Sequence, residues 1–276
     1  MRFPGGKGKA LTFSYDDGVI ADKRLVQLFN KYNLKATFNL NSLLFASECK
    51  CWHGRMGEQE TLETFVDTRH EVALHGARHI FFDRVPLYEA TNEVVQNRVQ
   101  LENMFNRIVR GMAYPYHAYS KKIRDMLEYA GVVYARTTVS TYSFDIPSDW
   151  LMLNPTCHHG DKRLSELTDT FLNAKPDNTS KNRDPLLFYV WGHSFEFDEK
   201  NQWDIIENFA ERVANRDDIW YATNIEVYDY VKAYESLIYS IDGERVYNPS
   251  AIPVWVQVRG KIYKIDSGKN LVFDKP

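Results

Sequence analysis

Residues 10–18 of the chain, ALTFSYDDG, begin as a short apolar run and end in two adjacent acidic residues and a glycine. An apolar run of this length, bounded by turn residues, is typical of a buried β-strand. In residues 22–32, which follow it, apolar side chains recur at helical spacing. A strand that leads into a helix is the first unit of an α/β fold.

This strand–helix order repeats along most of the chain. The predicted strands are residues 10–15, 35–40, 71–74, 111–114, 132–135, 186–191 and 219–221, and the predicted helices are residues 22–32, 60–68, 87–109, 120–130, 203–214 and 225–237. Residues 41–59 are irregular and are predicted to be a long loop on the functional side. The repeated order predicts parallel strands with helices outside, either as a barrel or as an open sheet. In a barrel, functional residues lie at the carboxyl ends of the strands.

The composition changes from about residue 239 onward. Turn-forming pairs such as Asp242-Gly243 and Asn248-Pro249 separate stretches of alternating polarity, among them residues 254–258 and 261–265. Such a pattern is typical of β-hairpins. We therefore predict a main α/β domain over residues 1–238 and a small β-rich appendage over residues 239–276 that packs on it.

Composition narrows the classes of function. Hydrophobic residues make up 44% of the 276 residues, enough for a large core, and the formal net charge of -3 offers no basic excess for nucleic acid. No run approaches the ~18 apolar residues of a membrane span, and the first residues lack the apolar stretch of a signal peptide. Three cysteines, Cys49, Cys51 and Cys157, are too few for a disulfide framework. We expect a cytoplasmic protein with reduced thiols, no membrane or nucleic-acid partner, and no indication of an oligomer.

The first acidic pair, Asp16 and Asp17, lies where the first predicted strand ends. One carboxylate can bind a cation while the other accepts a proton. Taken alone, an Asp-Gly sequence is better explained as a turn or a helix cap.

Two histidines follow the strand at residues 71–74. His75 and His79 are four residues apart, so on a helical turn they would share a face and could share a metal ion. Two histidines and one carboxylate form a common catalytic metal site with an open position for water. Asp17 supplies the carboxylate if the two strands lie side by side.

Three further segments offer polar groups. Pro115 stiffens a turn directly after a strand, and a stiff turn can present a backbone N–H to a developing oxyanion. His193 ends the most apolar strand and is a candidate general acid, although a structural histidine is equally compatible. The adjacent His158 and His159 are predicted to point in different directions and so not to bind one metal ion together. The remaining interpretations are that they belong to a polar loop or that they contact the substrate.

The order of these segments resembles that of the polysaccharide deacetylase family, also called the NodB-homology or carbohydrate esterase family four domain. Residues 12–18, TFSYDDG, are similar to the first of its five ordered motifs, with one residue more than the usual TFDDG. The other four resemble residues 75–79 (HGARH), 113–116 (AYPY), 148–150 (SDW) and 192–193 (GH). The resemblance extends over about residues 8–235.

The resemblance implies a distorted (β/α) barrel and one divalent metal ion, commonly zinc. By position in the motifs, the metal ligands would be Asp17, His75 and His79. The implied reaction is removal of an N-acetyl group, or an O-acetyl group, from a carbohydrate.

The resemblance also implies roles in that reaction. A water bound to the metal would attack the carbonyl, with Asp16 as the base that takes its proton. His193 would be the acid that protonates the departing amine, which otherwise leaves poorly. The backbone N–H of Tyr116 would help to hold the oxyanion, and Tyr116 would also contact the substrate.

Three motifs depart from the family pattern. The third usually begins with an arginine that braces the catalytic aspartate, but Ala113 stands there. Our hypothesis is that Arg136, at the end of the next strand, takes over this role. In the fifth motif, Trp191 lies near the position of the usual leucine, and we assign it to the substrate pocket, with core packing as the alternative.

The fourth motif is reduced to Asp149 and Trp150. We predict that Asp149 orients His193 and that Trp150 forms a wall of the substrate groove. For Asp149, a helix or turn cap is the alternative interpretation.

Other functions remain open at this stage. The same chemistry could act on a small non-sugar amide, and the lack of a visible signal peptide favours a small substrate over a cell-wall polymer. A catalytically inactive carbohydrate-binding protein is a second alternative, although the presence of both Asp16 and His193 argues against it. A structural or interaction protein built around the β-rich appendage is a third.

Overall fold

The computed structural model describes residues 1–45, 54–176 and 185–274. Within these ranges, eight parallel strands form a sheet that curls into a barrel, with helices outside it and additional antiparallel strands at the C-terminus. The predicted fold class, a distorted (β/α) barrel with a small C-terminal β appendage, is therefore confirmed.

The barrel strands are short and all of their pairings are parallel. They are β1 (Lys9–Asp16), β2 (Thr37–Leu40), β3 (Glu71–Leu74), β4 (Gly111–Ala113), β5 (Tyr134–Arg136), β6 (Cys157–His158), β7 (Leu186–Gly192) and β8 (Ile219–Tyr221). Their order is β5-β4-β3-β2-β1-β7-β6. Strand β7 pairs with β1 along one edge of β1. The other edge of β1 is shared by two strands, since β8 pairs with residues 9–11 and β2 with residues 14–16.

The segment of residues 153–158 closes the barrel between the two ends of this order. The Thr137 N–H donates to the carbonyl of Leu153 at 2.9 Å, which joins the segment to the edge of β5. The Thr156 N–H donates to the carbonyl of Tyr189 at 2.8 Å, which joins it to β7. Since both sides of the segment are bonded, β5 and β7 are held on opposite sides of one short bridge.

Helices cover the outside of the barrel. They are α1 (Asp22–Lys31), α2 (Glu58–Phe65), α3 (Leu87–Phe105), α4 (Lys121–Tyr129), α5 (Leu164–Asn173), α6 (Phe195–Glu199), α7 (Trp203–Val213) and α8 (Asn224–Glu235). Short 3-10 turns occur at Pro4–Gly6, Phe82–Arg84, Pro115–His117 and Trp150–Met152. None of the described helices is both long enough and apolar enough to cross a membrane.

Alternation along β1 explains how the barrel is filled. Phe13 points outward, with its ring 4.6 Å from Phe29 of α1 and 5.7 Å from Phe209 of α7. The neighbouring Ser14 points inward, where its hydroxyl is bonded to Arg136 of β5. Because successive side chains of a strand face opposite sides, Asp16 also lies on the inner side of the barrel.

Several elements differ from the sequence-based prediction. Strand β6 and helix α6 are not predicted, because a two-residue strand and a five-residue helix are too short to show a periodicity. The ten-residue helix α5 is also absent from the sequence-based prediction. The predicted loop at residues 41–59 includes Cys49 and Cys51, which lie outside the described residues. Cys157 is a buried free thiol, and burial raises its pKa to about 12.

The C-terminal strands form two small antiparallel sheets. The first contains β9 (Ile238–Tyr239), β10 (Arg245–Tyr247) and β13 (Asn270–Val272), and the second contains β11 (Val254–Val258) and β12 (Lys261–Ile265). The Tyr230 hydroxyl of α8 donates to the carbonyl of Arg2 at 2.5 Å and accepts from the Trp255 N–H at 2.9 Å. One buried hydroxyl therefore links the N-terminus, α8 and the β-rich tail, while the domain boundary after residue 238 stays a prediction.

We expect Tyr230→Phe to lower the free energy of unfolding by about 1–3 kcal/mol, because two buried hydrogen-bonding groups lose their partner. Urea unfolding followed by circular dichroism measures this change. Tyr129→Phe is the matched control, since Tyr129 is 93% exposed and the change should be within about 0.5 kcal/mol. An unchanged unfolding midpoint for Tyr230→Phe would show that this link does not stabilise the protein.

Candidate active site

Polar residues collect at the carboxyl end of the barrel because the strands that carry them are in register. Asp16 of β1 lies opposite Asn39 of β2, and Tyr15 lies opposite Gly192 of β7, the residue before His193. Parallel strands end at the same edge of a sheet, so their last side chains converge.

Three predicted metal ligands lie close together at this end. His75 Nε2 is 3.1 Å from His79 Nε2, and Asp17 Oδ1 is 3.5 Å from His79 Nε2 and 3.9 Å from His75 Nε2. A tetrahedral ion at ~2.1 Å from each ligand would separate the ligand atoms by about 3.4 Å. The spacing of Asp17, His75 and His79 therefore fits one such ion.

The protonation states also suit metal binding. His75 Nδ1 is 2.8 Å from the Ala113 carbonyl, so this nitrogen carries the hydrogen and Nε2 turns its lone pair to the cluster. Burial and the neighbouring His75 lower the pKa of His79 to about 3, and burial also lowers the pKa of His75. Burial alone would raise the pKa of Asp17, but the two histidines and Arg55 lower it. Two neutral imidazoles and a carboxylate are the forms that bind metal.

The backbone that carries these ligands is not helical. The predicted helical turn at residues 75–79 is wrong, since Gly76 has φ of 73° and His79 has φ of 54°. A Cβ on Gly76 would lie 3.1 Å from the Phe82 ring, so glycine suits this position. Asp17 has φ of 87°, which departs from the extended strand and lets both Asp16 and Asp17 face the same site. Such conformations persist where the surrounding structure holds them.

Asp16 is buried and paired with Arg136. Arg136 Nη2 donates to Asp16 Oδ2, Arg136 Nε donates to Ser14 Oγ at 3.1 Å, and the guanidinium lies 4.4 Å from the centre of the Trp191 ring. Burial alone would raise the pKa of Asp16, but the Arg136 charge, with His75, lowers it to about 2. The contact is the one expected if Arg136 stands in for the missing arginine of the third motif.

Two contributors to the site are missed by the sequence analysis. Asn39 Nδ2 donates to Asp16 Oδ1 and to Ser14 Oγ, both at 2.8 Å, and Arg55 Nη2 donates to Asp17 Oδ1 at 3.0 Å. Asn39 could have been found as a polar residue at the end of a predicted strand. Arg55 lies in a segment that shows no periodicity, so nothing in the sequence marks it.

The ring of His193 lies between the two aspartates and Glu196 of α6. Its Nε2 is 3.8 Å from Asp16 Oδ2 and 4.0 Å from Asp17 Oδ2, and its Nδ1 is 2.9 Å from Glu196 Oε1. Burial works to lower the pKa of His193, but the hydrogen bond to Glu196 and the charges of Asp16 and Asp17 raise it. Glu196 is not predicted from the sequence, although its position three residues after His193 is a usable signal.

The fourth-motif residues lie elsewhere. Asp149 Oδ1 accepts from the Leu151 N–H and from Arg124 Nη2, both at 3.1 Å, so Asp149 is the cap of a 3-10 turn. Trp150 is buried, with its ring edge-on to Tyr228 of α8 at 5.2 Å. The predictions that Asp149 orients His193 and that Trp150 forms a wall of the groove are therefore wrong.

Aromatic rings surround the cluster. Tyr116, with φ of 52°, is 43% exposed, and its ring lies 4.3 Å from that of His79 and stacks on Phe81 at 4.0 Å. Trp191 is nearly buried beside His158, at 4.8 Å between ring centres.

The adjacent histidines His158 and His159 do not point apart as predicted. Their ring centres are 4.3 Å apart, and their Nε2 atoms lie 3.2 Å and 3.9 Å from the Glu196 carboxylate. The two residues can share one partner because the chain leaves the regular geometry of β6 directly after His158.

We expect about one divalent ion per chain in protein loaded with zinc, and loss of that ion in the Asp17→Asn/His75→Ala double variant, because two of three ligands are removed. Elemental analysis after desalting measures the ratio. A control variant, Asp229→Asn, changes an aspartate that pairs with Arg110 at the surface and should keep the ion. Equal metal content in the double variant and the unaltered protein would contradict the assignment.

We expect Arg136→Met to raise the pKa of Asp16, because burial would act on the carboxyl without the opposing guanidinium. The carboxylate form would then be lost at a higher pH, so the acidic limb of the pH–activity profile should move to higher pH. Removing one partner of a buried pair should also cost about 3–5 kcal/mol of stability. Turnover and a pH profile identical to those of the unaltered protein would refute the bracing role of Arg136.

Comparison with known proteins finds one family that matches part of the chain. A sequence model of the family described as Polysaccharide deacetylase matches residues 4–135. A search of curated proteins finds no match. A candidate polysaccharide deacetylase from Mycobacterium smegmatis has a similar structure, with a TM-score of 0.60, 14% identity, and coverage of 85% of this chain and 94% of that chain.

Two further solved structures share the fold. PuuE allantoinase has a TM-score of 0.59 at 11% identity and covers 82% of this chain and 90% of its own. The Xyl-CE4 domain of a multidomain xylanase, from the hindgut metagenome of Trinervitermes trinervoides, has a TM-score of 0.51 at 14% identity. The match covers 82% of this chain and 92% of that domain. The chain spans 61% of the length of the Streptococcus pyogenes deacetylase PplD, which it also matches.

The range matched by the family model contains Asp16 and the three residues whose side chains could hold a metal ion, Asp17, His75 and His79. The fold continues beyond that range to β7, which carries the site to His193. Over residues 4–135, just under half of its length, the chain matches the polysaccharide deacetylase family model, and the barrel that these residues begin has the fold of a candidate deacetylase.

Proposed function

We propose that this protein is a metal-dependent hydrolase that removes an acetyl group, in the first place an N-acetyl group, from a carbohydrate. The observation that carries the proposal is the convergence of a three-ligand cluster with a carboxylate and a histidine. Asp16 Oδ2 lies 3.8 Å from both His75 Nε2 and His193 Nε2, so the base and the acid border the same space.

Asp17, His75 and His79 would hold the metal ion, and zinc is the ion we expect, because two imidazole nitrogens and one carboxylate oxygen form a typical zinc donor set. When bound, such an ion polarises a carbonyl and lowers the pKa of water at its open position. Asp16 and His193 lie beside these three side chains, with Asp16 Oδ2 3.8 Å from His75 Nε2 and His193 Nε2 4.0 Å from Asp17 Oδ2.

Asp16 is the base in this proposal. Its pKa of about 2 keeps it ionised at neutral pH, and Arg136 and Asn39 hold its two oxygens from the barrel side. A carboxylate with so low a pKa accepts a proton only from an acidic donor. Asp16 would therefore act on water at the metal site and would accept no proton from bulk solvent at neutral pH.

His193 is the acid. The hydrogen bond to Glu196 and the charges of Asp16 and Asp17 raise its pKa, which stabilises the protonated form, and Nε2 faces the two carboxylates. An amine is expelled from a tetrahedral intermediate only with a proton on its nitrogen, so a donor at this position is what amide hydrolysis requires.

Tyr116 and Trp191 would complete the pocket. The Tyr116 ring is exposed beside His79, where a flat ring can pack against the apolar face of a sugar. In the proposed reaction its backbone N–H helps to hold the oxyanion. Trp191 narrows the same space beside His193, at 5.7 Å between ring centres.

Hydrolysis of a small cyclic or linear amide is the second candidate. The observation that favours it is the similarity of the fold to an allantoinase at a TM-score of 0.59. The same base, acid and metal cluster would serve, and only the substrate contacts would differ.

We expect the zinc-loaded protein to release acetate from N-acetylated sugar oligomers and His193→Ala to lower kcat by about 10²–10⁴-fold, because the leaving amine loses its proton donor. Acetate release is measured beside ammonia or amine release from allantoin and other small amides. Activity on the small amides alone would favour the second candidate. Metal-dependent hydrolysis of none of these compounds would overturn the proposal and favour a binding protein on this fold.

A further inference from the structure

We infer that Glu196 is the residue that positions His193 for proton donation, in place of an acid from the fourth motif. Glu196 lies in the first turn of α6, three residues after His193, and its side chain is 14% exposed. The inference rests on the proposed function for the reaction it serves, while the contact itself is independent of that function.

The Glu196 carboxylate is held at both oxygens. Oε1 is bonded to His193 Nδ1 at 2.9 Å and to His158 Nε2 at 3.2 Å, and Oε2 accepts from Lys200 Nζ at 2.6 Å. Because three partners hold it, among them His158 of the separate strand β6, the carboxylate cannot rotate away from His193 without breaking another bond. The arrangement gives His193 a fixed partner.

A competing interpretation of the same residues is a second metal site. His158, His159 and Glu196 offer ligand atoms within 4.8 Å of one another. However, the Gly160 N–H donates to His158 Nδ1 at 3.0 Å, so in a neutral ring the hydrogen of His158 is on Nε2, which then donates to Glu196. The nitrogen that a metal would need is already a hydrogen-bond donor, and the cluster is better explained as a hydrogen-bond network.

The network sets the tautomer of His193. A neutral imidazole carries one hydrogen, and a carboxylate beside Nδ1 holds it there. Nε2 is then the nitrogen that takes up and releases a proton, and it is the one that faces Asp16 and Asp17. Ser194 stabilises the turn between His193 and Glu196, since its hydroxyl donates to the buried Asp22 Oδ1 at 2.6 Å.

The first test compares two leaving groups in the zinc-loaded protein. An N-acetylated sugar oligomer requires a proton on its leaving amine, whereas the phenolate of 4-nitrophenyl acetate leaves without one. We expect Glu196→Ala to lower kcat on the oligomer by about 10–100-fold with KM changed less than about twofold, and aryl ester hydrolysis by less than about threefold. Glu196→Gln, which keeps an acceptor oxygen, should recover part of the loss. An equal loss on both substrates would indicate a structural role and overturn the inference.

The second test requires no catalysis. In nitrogen-15 spectra of the histidine rings of the metal-free protein, recorded at a pH high enough for His193 to be neutral, we expect His193 to carry its hydrogen on Nδ1, and Glu196→Ala to give a mixture of tautomers. Glu207→Gln is the matched control, because Glu207 forms an exposed ion pair with Arg24. A His193 tautomer that does not respond to Glu196→Ala would also overturn the inference. If the unaltered protein hydrolyses neither substrate, the proposed function fails, and these spectra still decide the role of Glu196.

Discussion

The buried ion pair between Arg136 and Asp16 is the contact on which the rest of the site depends. It joins β5, at one end of the strand order, to β1 in the middle, across the inside of the barrel. A buried ion pair is tolerated only where its remaining hydrogen-bonding groups are also satisfied. Here Ser14, the Thr137 carbonyl and the Trp191 ring contact the guanidinium, and Asn39 binds the other carboxylate oxygen.

That constraint explains how the proposed base, Asp16, and the proposed metal ligand, Asp17, can be neighbours in different environments. Asp16 and Asp17 are consecutive, yet Asp16 is held by an arginine of the barrel wall and Asp17 by Arg55 and the histidines. The φ of 87° at Asp17 turns the second side chain back toward the site, where strand alternation alone would direct it outward. The strained backbone is held by the strands on either side of it.

The site also separates its titrating groups by environment. Asp16 is driven toward the ionised form by a buried positive charge, while His193 is driven toward the protonated form by three carboxylates around it. A pair of groups whose pKa values are pushed apart is a usual sign of a base and an acid in one reaction. Glu196 contributes to the raised pKa of His193, because its carboxylate is bonded to the ring nitrogen that faces away from Asp16 and Asp17.

The sequence by itself determined the strand–helix order, which follows from local patterns, and its motifs, through the resemblance to a known family, predicted the barrel and the metal ligands Asp17, His75 and His79. Strand and helix periodicity can be recognised within ten residues, and the order of Asp17, His75, His79 and His193 places each after a strand, where parallel strands must end together. The positive φ of His79 shows that His75 and His79 come together without the predicted helical turn. The motifs were enough to predict which side chains come together, but not the conformation of their backbone.

Only the tertiary structure decided which partners hold these residues. Asn39, Arg55 and Glu196 become part of the site through strand register and loop closure, and Asp149 is excluded because its side chain caps a 3-10 turn. Motif order states where a residue lies along the chain, but it carries no information on the face to which the side chain points. That direction depends on contacts between segments more than a hundred residues apart, as in the pairing of Arg136 with Asp16.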